Sequence, residues 1–268
     1  MGAARSECAW SGAHRRLRDA AVGLQLRGSR GLVSAALAGR RAFVSGASGG
    51  IGAATARALA AEGARVALAA RDRPALDALA RELGDAVVTE CDVREAGAVD
   101  AAVGRAVAAL GGLDLVVTAA GLGRFGDTAS FSVEDWDAVL DVDLRGTFLV
   151  VRATLLHVRK AKGHLILLSS VAAVRAFPGA AAYCAAKAGV RAFAQVVAEE
   201  NRRLGVRVTN MVVGSVDSPF WDRAGGTELA REKMLQPDDV ARAIVQAASQ
   251  PAGVSVDEIV LMPPEGIL

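Results

Sequence analysis

Cysteine is scarce, with three residues in 268, Cys8, Cys91 and Cys184, odd in number and far apart. Such a set builds no disulfide framework and fits reduced thiols in a cytoplasmic protein. The three histidines, His14, His157 and His164, show no ligand spacing with the cysteines, so no metal site is expected. Aromatic residues make up 4% and the formal net charge is only +2, which gives nucleic-acid binding no support. No run of about 18 uncharged apolar residues occurs, so no membrane-spanning helix is expected. What the chain does hold is apolar side chain, 52% of its residues, enough for the large core of one domain.

The first forty residues stand apart. They carry Arg5, Arg15, Arg16, Arg18, Arg27, Arg30 and Arg40 against only Glu7 and Asp19, with many small residues and no strong periodicity. Residues 1–39 therefore read as a flexible basic extension. A mitochondrial presequence, a start codon placed upstream of the true one, and a tail drawn to anionic surfaces all share that composition.

Beyond residue 40, strand-like runs at 41–44, 65–70, 86–90, 115–118, 164–169, 206–212 and 256–261 alternate with helical ones. Such alternation predicts an α/β domain over residues 40–268, a single doubly wound parallel sheet with helices on both faces, since crossover helices must pack there. Ser132 with Asp135 resembles a capping box opening a long helix that carries Asp143. Pro74 and Pro237 suit the first turns of two others.

Three segments carry chemistry. The strand at 41–44 runs into Ser45-Gly46-Ala47-Ser48-Gly49-Gly50-Ile51-Gly52 and then into a helical run at 53–62. Glycine lets backbone approach a pyrophosphate without Cβ obstruction, and the helix start adds unpaired N–H groups and a positive dipole end. Tyr183 and Lys187 stand four apart in an alanine-rich helical segment, so both side chains project from one face. Bringing a phenol from pKa ~10 to ~7 takes about 4 kcal/mol, which one ammonium at ~4 Å supplies at an effective dielectric of ~20. Ser170 ends an apolar strand thirteen residues before Tyr183, where a serine can also simply cap a turn.

Together, in this order and spacing, the segments resemble the short-chain dehydrogenase/reductase family over roughly residues 40–262. The resemblance implies a Rossmann-like fold and a nicotinamide cofactor cradled by Gly46, Ser48, Gly50, Ile51 and Gly52. It implies that Ser170 hydrogen-bonds the reacting oxygen, that Tyr183 is the general acid/base, and that Lys187 lowers its pKa while holding the nicotinamide ribose. Asp92 with Val93 resembles the adenine contact, a helix cap for residues 94–110 being its other reading. Ala120-Gly121 matches the end of the family's Asn-Asn-Ala-Gly motif. Gly214 to Pro219, with Val216 and Ser218, matches the turn around the nicotinamide amide. A homo-oligomer, dimer or tetramer, is implied as well.

Departures accompany the matches. Asp143 replaces the family's fourth catalytic residue, an asparagine, and a carboxylate cannot donate as an amide does. Its charge would raise the lysine pKa and offset the help given to Tyr183. Thr118-Ala119 replaces two asparagines, and Val213 replaces a proline. At the end of strand 65–70, where an acidic residue would favour NAD, Ala70 is neutral and Arg71 follows, so a 2'-phosphate and hence NADP is expected, a solvated surface arginine partly neutralised by Asp72 being the other reading. Gly49 lacks the basic side chain frequent there in NADP-preferring relatives.

Residues 220–235 are expected to fold over the site, with Phe220 and Trp221 as an apolar wall. Arg175 reads as a surface arginine, a contact for an acidic substrate being its other reading, and the ending 256–263 loosely resembles relatives acting on 3-hydroxy acids. Two functions remain open. One is an NADP-dependent oxidoreductase acting on a small-molecule secondary alcohol or carbonyl, 3-oxoacyl or 3-hydroxy acids included, without nucleic-acid or membrane partners. The other is an NADP-binding protein of little turnover, a sensor or structural subunit.

Overall fold

The computed structural model describes residues 36–224 and 230–266. Most of the basic extension, Cys8 and His14 therefore lie outside the described residues. Packing begins upstream of residue 40, because Leu37 is 2% exposed and joins the core while its N–H donates to the Glu62 carbonyl at 3.0 Å.

Seven strands, β1 (Arg41–Ser45), β2 (Arg65–Ala70), β3 (Val87–Glu90), β4 (Leu115–Thr118), β5 (His164–Leu168), β6 (Arg207–Val213) and β7 (Glu258–Leu261), form one parallel sheet. Their order is β3-β2-β1-β4-β5-β6-β7. The chain winds outward from β1 to β3, then returns to the middle and winds the other way. That reversal opens a crevice at the carboxyl ends of β1 and β4, where Ser45 lies in register with Thr118.

The strands are apolar throughout because both faces are covered. Along β4, Leu115 and Val117 join the core beneath α1 (Gly50–Ala61), α2 (Arg73–Leu83) and α8 (Pro237–Ala248). Val116 points to the opposite layer of α3 (Ala96–Leu110), α5 (Gly146–Ala161) and α6 (Ala181–Asn201). Small side chains, Ala53 and Ala56 on α1 and Ala247 and Ala248 on α8, let those two helices pack closely on one another.

Local signals explain the helix starts. Asp72 accepts from the Ala75 N–H ahead of Pro74, and Gln236 with Asp239 forms a reciprocal capping box ahead of α8. Ser132 accepts from the Asp135 N–H at 3.0 Å at the start of α4 (Val133–Leu140), but Asp135 turns to Arg124, so only half of the expected box forms. The helix expected to run through Asp143 is broken by a π-helical turn, Asp141–Arg145, before α5 begins. The cap reading of Asp92 fails, since α3 starts at Ala96 with Glu95 before it.

One polar group in the core sets an acid limit. Thr209 Oγ1 has a single proton and donates it to the Val256 carbonyl at 2.5 Å, so His164 Nε2, 2.8 Å away, must be the donor to that oxygen. Nδ1 is then bare and buried without a partner. Protonation would place an unpaired N–H there, and burial pushes the His164 pKa down from 6.5 to about 3. The unfolded chain binds this proton and the folded one does not, so stability falls as pH drops from about 6.5 toward 3. The unfolding free energy from urea titration should fall across that window by up to about 1.4 kcal/mol per pH unit on this account, and His164→Leu should flatten the slope. An unchanged slope in the variant would assign the acid limit to other groups.

Candidate active site

The glycine loop is shaped by close backbone contacts. Gly46 has φ +71°, and a Cβ there would lie 2.5 Å from the Ala120 nitrogen. A Cβ on Gly52 would lie 2.2 Å from the Gly46 carbonyl oxygen, so α1 docks under the loop only without a side chain. No side chain caps the start of α1 at Gly49. Its first N–H groups and positive dipole end thus face the crevice, an arrangement suited to phosphate oxygens.

From this loop a cleft of about 1110 Å³ runs along the carboxyl ends of the strands. Gly46, Ser48, Gly50, Ile51, Arg71, Asp92, Val93, Ala120, Gly121, Ser170, Tyr183, Lys187, Val216 and Ser218 all line it. Gly52 and Asp143 are the expected residues that do not. Gly52 sits beneath Gly46, and Asp143 lies fully buried behind Gly121 and Lys187.

At the reacting corner, Tyr183 and Lys187 project from α6, with the Lys187 Nζ 5.5 Å from the Tyr183 ring centre. Ser169 Oγ donates to the Lys187 carbonyl at 3.2 Å, which ties the end of β5 to α6. Ser170 does cap a turn, accepting from the Ala172 N–H at 3.1 Å, yet it lines the cleft and keeps its own O–H as a donor. Lys187 Nζ donates to the Leu168 carbonyl at 3.3 Å and stands 3.0 Å from Asp143 Oδ2. Asp143 Oδ1 accepts from the Leu122 N–H at 2.7 Å. Thr147 Oγ1 donates to the Asp143 carbonyl at 2.6 Å, which occupies that oxygen within the π turn.

These contacts oppose one another. Burial raises the Tyr183 phenol above its ordinary value, Lys187 pulls it down, Asp143 pushes it up again and the Ser170 hydroxyl pulls it down, with a net rise. Burial pulls Lys187 down, but Asp143 and Tyr183 hold its ammonium above the ordinary value. Burial also lifts the Asp143 carboxyl above the usual range against the pull of Lys187.

A protein-family model described as short chain dehydrogenase matches residues 40–228. The chain belongs to the short-chain dehydrogenase family. An uncharacterised oxidoreductase of Staphylococcus epidermidis is 35% identical over 198 residues, 73% of this chain and 85% of that one. A sepiapterin reductase of Chlorobaculum tepidum is 32% identical over 157 residues, 58% of this chain and 64% of the relative. The crystal structure of an alcohol dehydrogenase from Thermococcus sibiricus complexed with 5-hydroxy-NADP superposes with a TM-score of 0.79 at 30% identity, covering 84% of this chain and 97% of that one. A metagenomic short-chain oxidoreductase in complex with NADP gives 0.75 at 35%, covering 85% and 98%.

Within the cleft, three expectations are revised. Arg71 shares the far end of the cleft with Arg94, which lines it too and grips Asp92 in a fork, Nη2 to Oδ2 at 2.7 Å. That guanidinium holds the Asp92 carboxyl below its usual range. Arg175 does not line the cleft. Arg124 and Arg223 do, and the Arg124 Nη1 donates to the Arg223 carbonyl at 3.0 Å. The apolar wall is larger than Phe220 and Trp221, since Phe125 stacks on Trp221 and meets the Tyr183 ring edge-on at 6.0 Å. Cys184 is half-buried near the Arg175 carbonyl, and burial pushes the Cys91 thiol up to about 11.

A buried ion pair is costly to break and cheap to replace whole. Lys187→Met should destabilise the fold by about 3–5 kcal/mol through the unpartnered Asp143, while Lys187→Met/Asp143→Leu should recover most of that loss in urea unfolding. Additive losses in the double variant would show that the two groups are not coupled.

Proposed function

We propose that this dehydrogenase is an NADP-dependent oxidoreductase that interconverts a secondary alcohol and a carbonyl. The observation that carries the reading is the convergence of Ser170, Tyr183 and Lys187 on one corner of a cleft whose other end is the Gly46–Gly52 cradle. Gly46, Ser48, Gly50 and Ile51 with the start of α1 would hold the pyrophosphate, Gly52 supporting the loop from beneath, and Asp92 with Val93 would face the adenine. Ala120, Gly121, Val216 and Ser218 flank the nicotinamide end. The bound cofactor supplies or accepts hydride at the substrate carbon.

The protein's own part is positioning and proton transfer. Ser170 donates a hydrogen bond to the reacting oxygen and Tyr183 gives or takes its proton. Lys187 steadies the phenolate that results, and Asp143 draws on the same ammonium. With its pKa raised, Tyr183 is protonated at neutral pH, so it serves better as an acid in carbonyl reduction than as a base in alcohol oxidation. Small 3-oxoacyl or 3-hydroxy acid substrates fall within this reaction class.

The preference for NADP rests on charge. β2 ends on the neutral Ala70 with Arg71 next, the adjacent Asp72 lines the cleft but is occupied as the cap of α2, and Arg94 is engaged by Asp92. The NADP compounds bound by the two crystallographic relatives support the same reading. Homo-oligomerisation and a cytoplasmic location belong to the proposal. Among the described residues no helix is long and apolar enough to cross a membrane, and no His, Cys, Asp and Glu cluster could hold a metal ion.

One observation favours the second reading, an NADP-binding protein of little turnover: the Asp143 carboxylate, 0% exposed and 3.0 Å from Lys187, which opposes activation of Tyr183. NADPH oxidation across ketones, 3-oxo acids and quinones separates the two. Absorbance loss with any of them establishes the enzyme. Tight NADPH binding without turnover across the set establishes the other.

Two variants test the assignments. Arg71→Asp should weaken NADPH by roughly tenfold or more, about 1.4 kcal/mol, and NADH far less. An unchanged affinity ratio would remove the charge argument. Asp143→Asn keeps the shape, removes the opposing charge and restores a donor. It should raise the single-turnover rate of hydride transfer and shift the Tyr183-dependent limb of the pH profile to lower pH. A slower variant with an unmoved limb would make the carboxylate a tuned part of the site.

A further inference from the structure

The substrate end of the cleft gathers aromatic rings in a chain that has few. Four of its eleven aromatic residues, seven Phe, three Trp and one Tyr, form one cluster: Phe125, Tyr183, Phe220 and Trp221. Tyr183 meets Phe220 at 5.7 Å and Phe125 at 6.0 Å between ring centres, so two of the rings stand against the proton donor itself.

The cluster is built in place. The five-residue helix α7 (Phe220–Ala224) brings Phe220 and Trp221 over the cleft. Trp221 Nε1 donates to the Val216 carbonyl at 3.0 Å, and the Arg124 bond to the Arg223 carbonyl fixes the helix from the other side. Gly123 makes room, since a Cβ there would lie 2.5 Å from the Phe220 ring. Trp221 stacks on Phe125 at 22° between planes, yet Phe125 remains 38% exposed within the cleft. An exposed apolar ring beside the reacting atoms, braced rather than mobile, is a surface that a flat apolar group completes.

We propose that the substrate carbonyl carries an aromatic or similarly flat conjugated group, packed against the cleft-facing sides of Phe125 and Phe220, which meet edge-on at 6.5 Å, while the carbonyl oxygen meets Tyr183 and Ser170. The proposal deepens the oxidoreductase reading and rests on it for the reaction, though not for the binding preference. A saturated ring of equal size fills the same volume but cannot match the edge-and-face geometry of its neighbours.

Two paired measurements decide it. With NADPH, kcat/KM for acetophenone should exceed that for cyclohexyl methyl ketone by about tenfold, the combined effect of two such ring contacts. Phe125→Leu, at a partly exposed position, should bring the ratio of the two ketones close to one. In parallel, ligand-observed NMR with 1-phenylethanol and 1-cyclohexylethanol reads binding without turnover. No turnover with either ketone, together with selective binding of the phenyl alcohol lost in Phe125→Leu, would uphold the aromatic proposal while the oxidoreductase reading fails for this ketone class. Equal use or equal binding of phenyl and cyclohexyl compounds, no binding of either, or a ratio unmoved by Phe125→Leu would overturn the aromatic proposal.

Discussion

Lys187 and Asp143 place opposite charges 3.0 Å apart with 6% and 0% of their side chains exposed, and the rest of the site is arranged around that contact. Neither charge is solvated, so each depends on the other and on a few backbone groups, the Leu168 carbonyl for Lys187 and the Leu122 N–H for Asp143. These partners come from four places: the end of β5, helix α6, the loop after β4 and the π turn before α5. The pair therefore fixes the relative positions of the elements that carry Ser170 and Tyr183. It also sets their chemistry, because the ammonium that would lower the phenol pKa is already engaged by a carboxylate.

The sheet provides the frame. Winding outward twice from the centre leaves the carboxyl ends of β1 and β4 uncovered by any crossover, and loops from β1, β4, β5 and β6 all open there. Rigid strands hold the polar groups, while the apolar end is supplied by the short helix after β6. The cleft thus has an end of glycines and free N–H groups, a centre of Ser170, Tyr183 and Lys187, and an aromatic end braced by Trp221 and Arg124.

Much of this was legible in the sequence. Strands buried on both faces read as uninterrupted apolar runs, so β2 and β4 came out with their observed ends and the others within about two residues. The glycine spacing, Ser170 and the Tyr183/Lys187 pair all line the cleft as the motifs implied, and Gly52 lies beneath the loop. Asp143 stood out as a departure, and the structure puts it against Lys187. Phe125, Arg94 and Arg124 escaped notice because loop residues carry no periodicity to mark their direction. The Arg94 fork on Asp92 is a two-residue contact set by loop geometry. The π turn Asp141–Arg145 also left no signal, since its residues suit an ordinary helix equally well.

Tyr183 is the only tyrosine in the chain, so ultraviolet titration of phenolate absorbance reports its ionisation alone. With the Lys187 charge engaged by Asp143, the purified protein should show no phenolate until the pH exceeds the ordinary tyrosine value of about 10. A phenolate signal rising between about pH 7 and 8 would contradict the account, because it would mean that Lys187 acts on Tyr183 undiminished by its carboxylate partner.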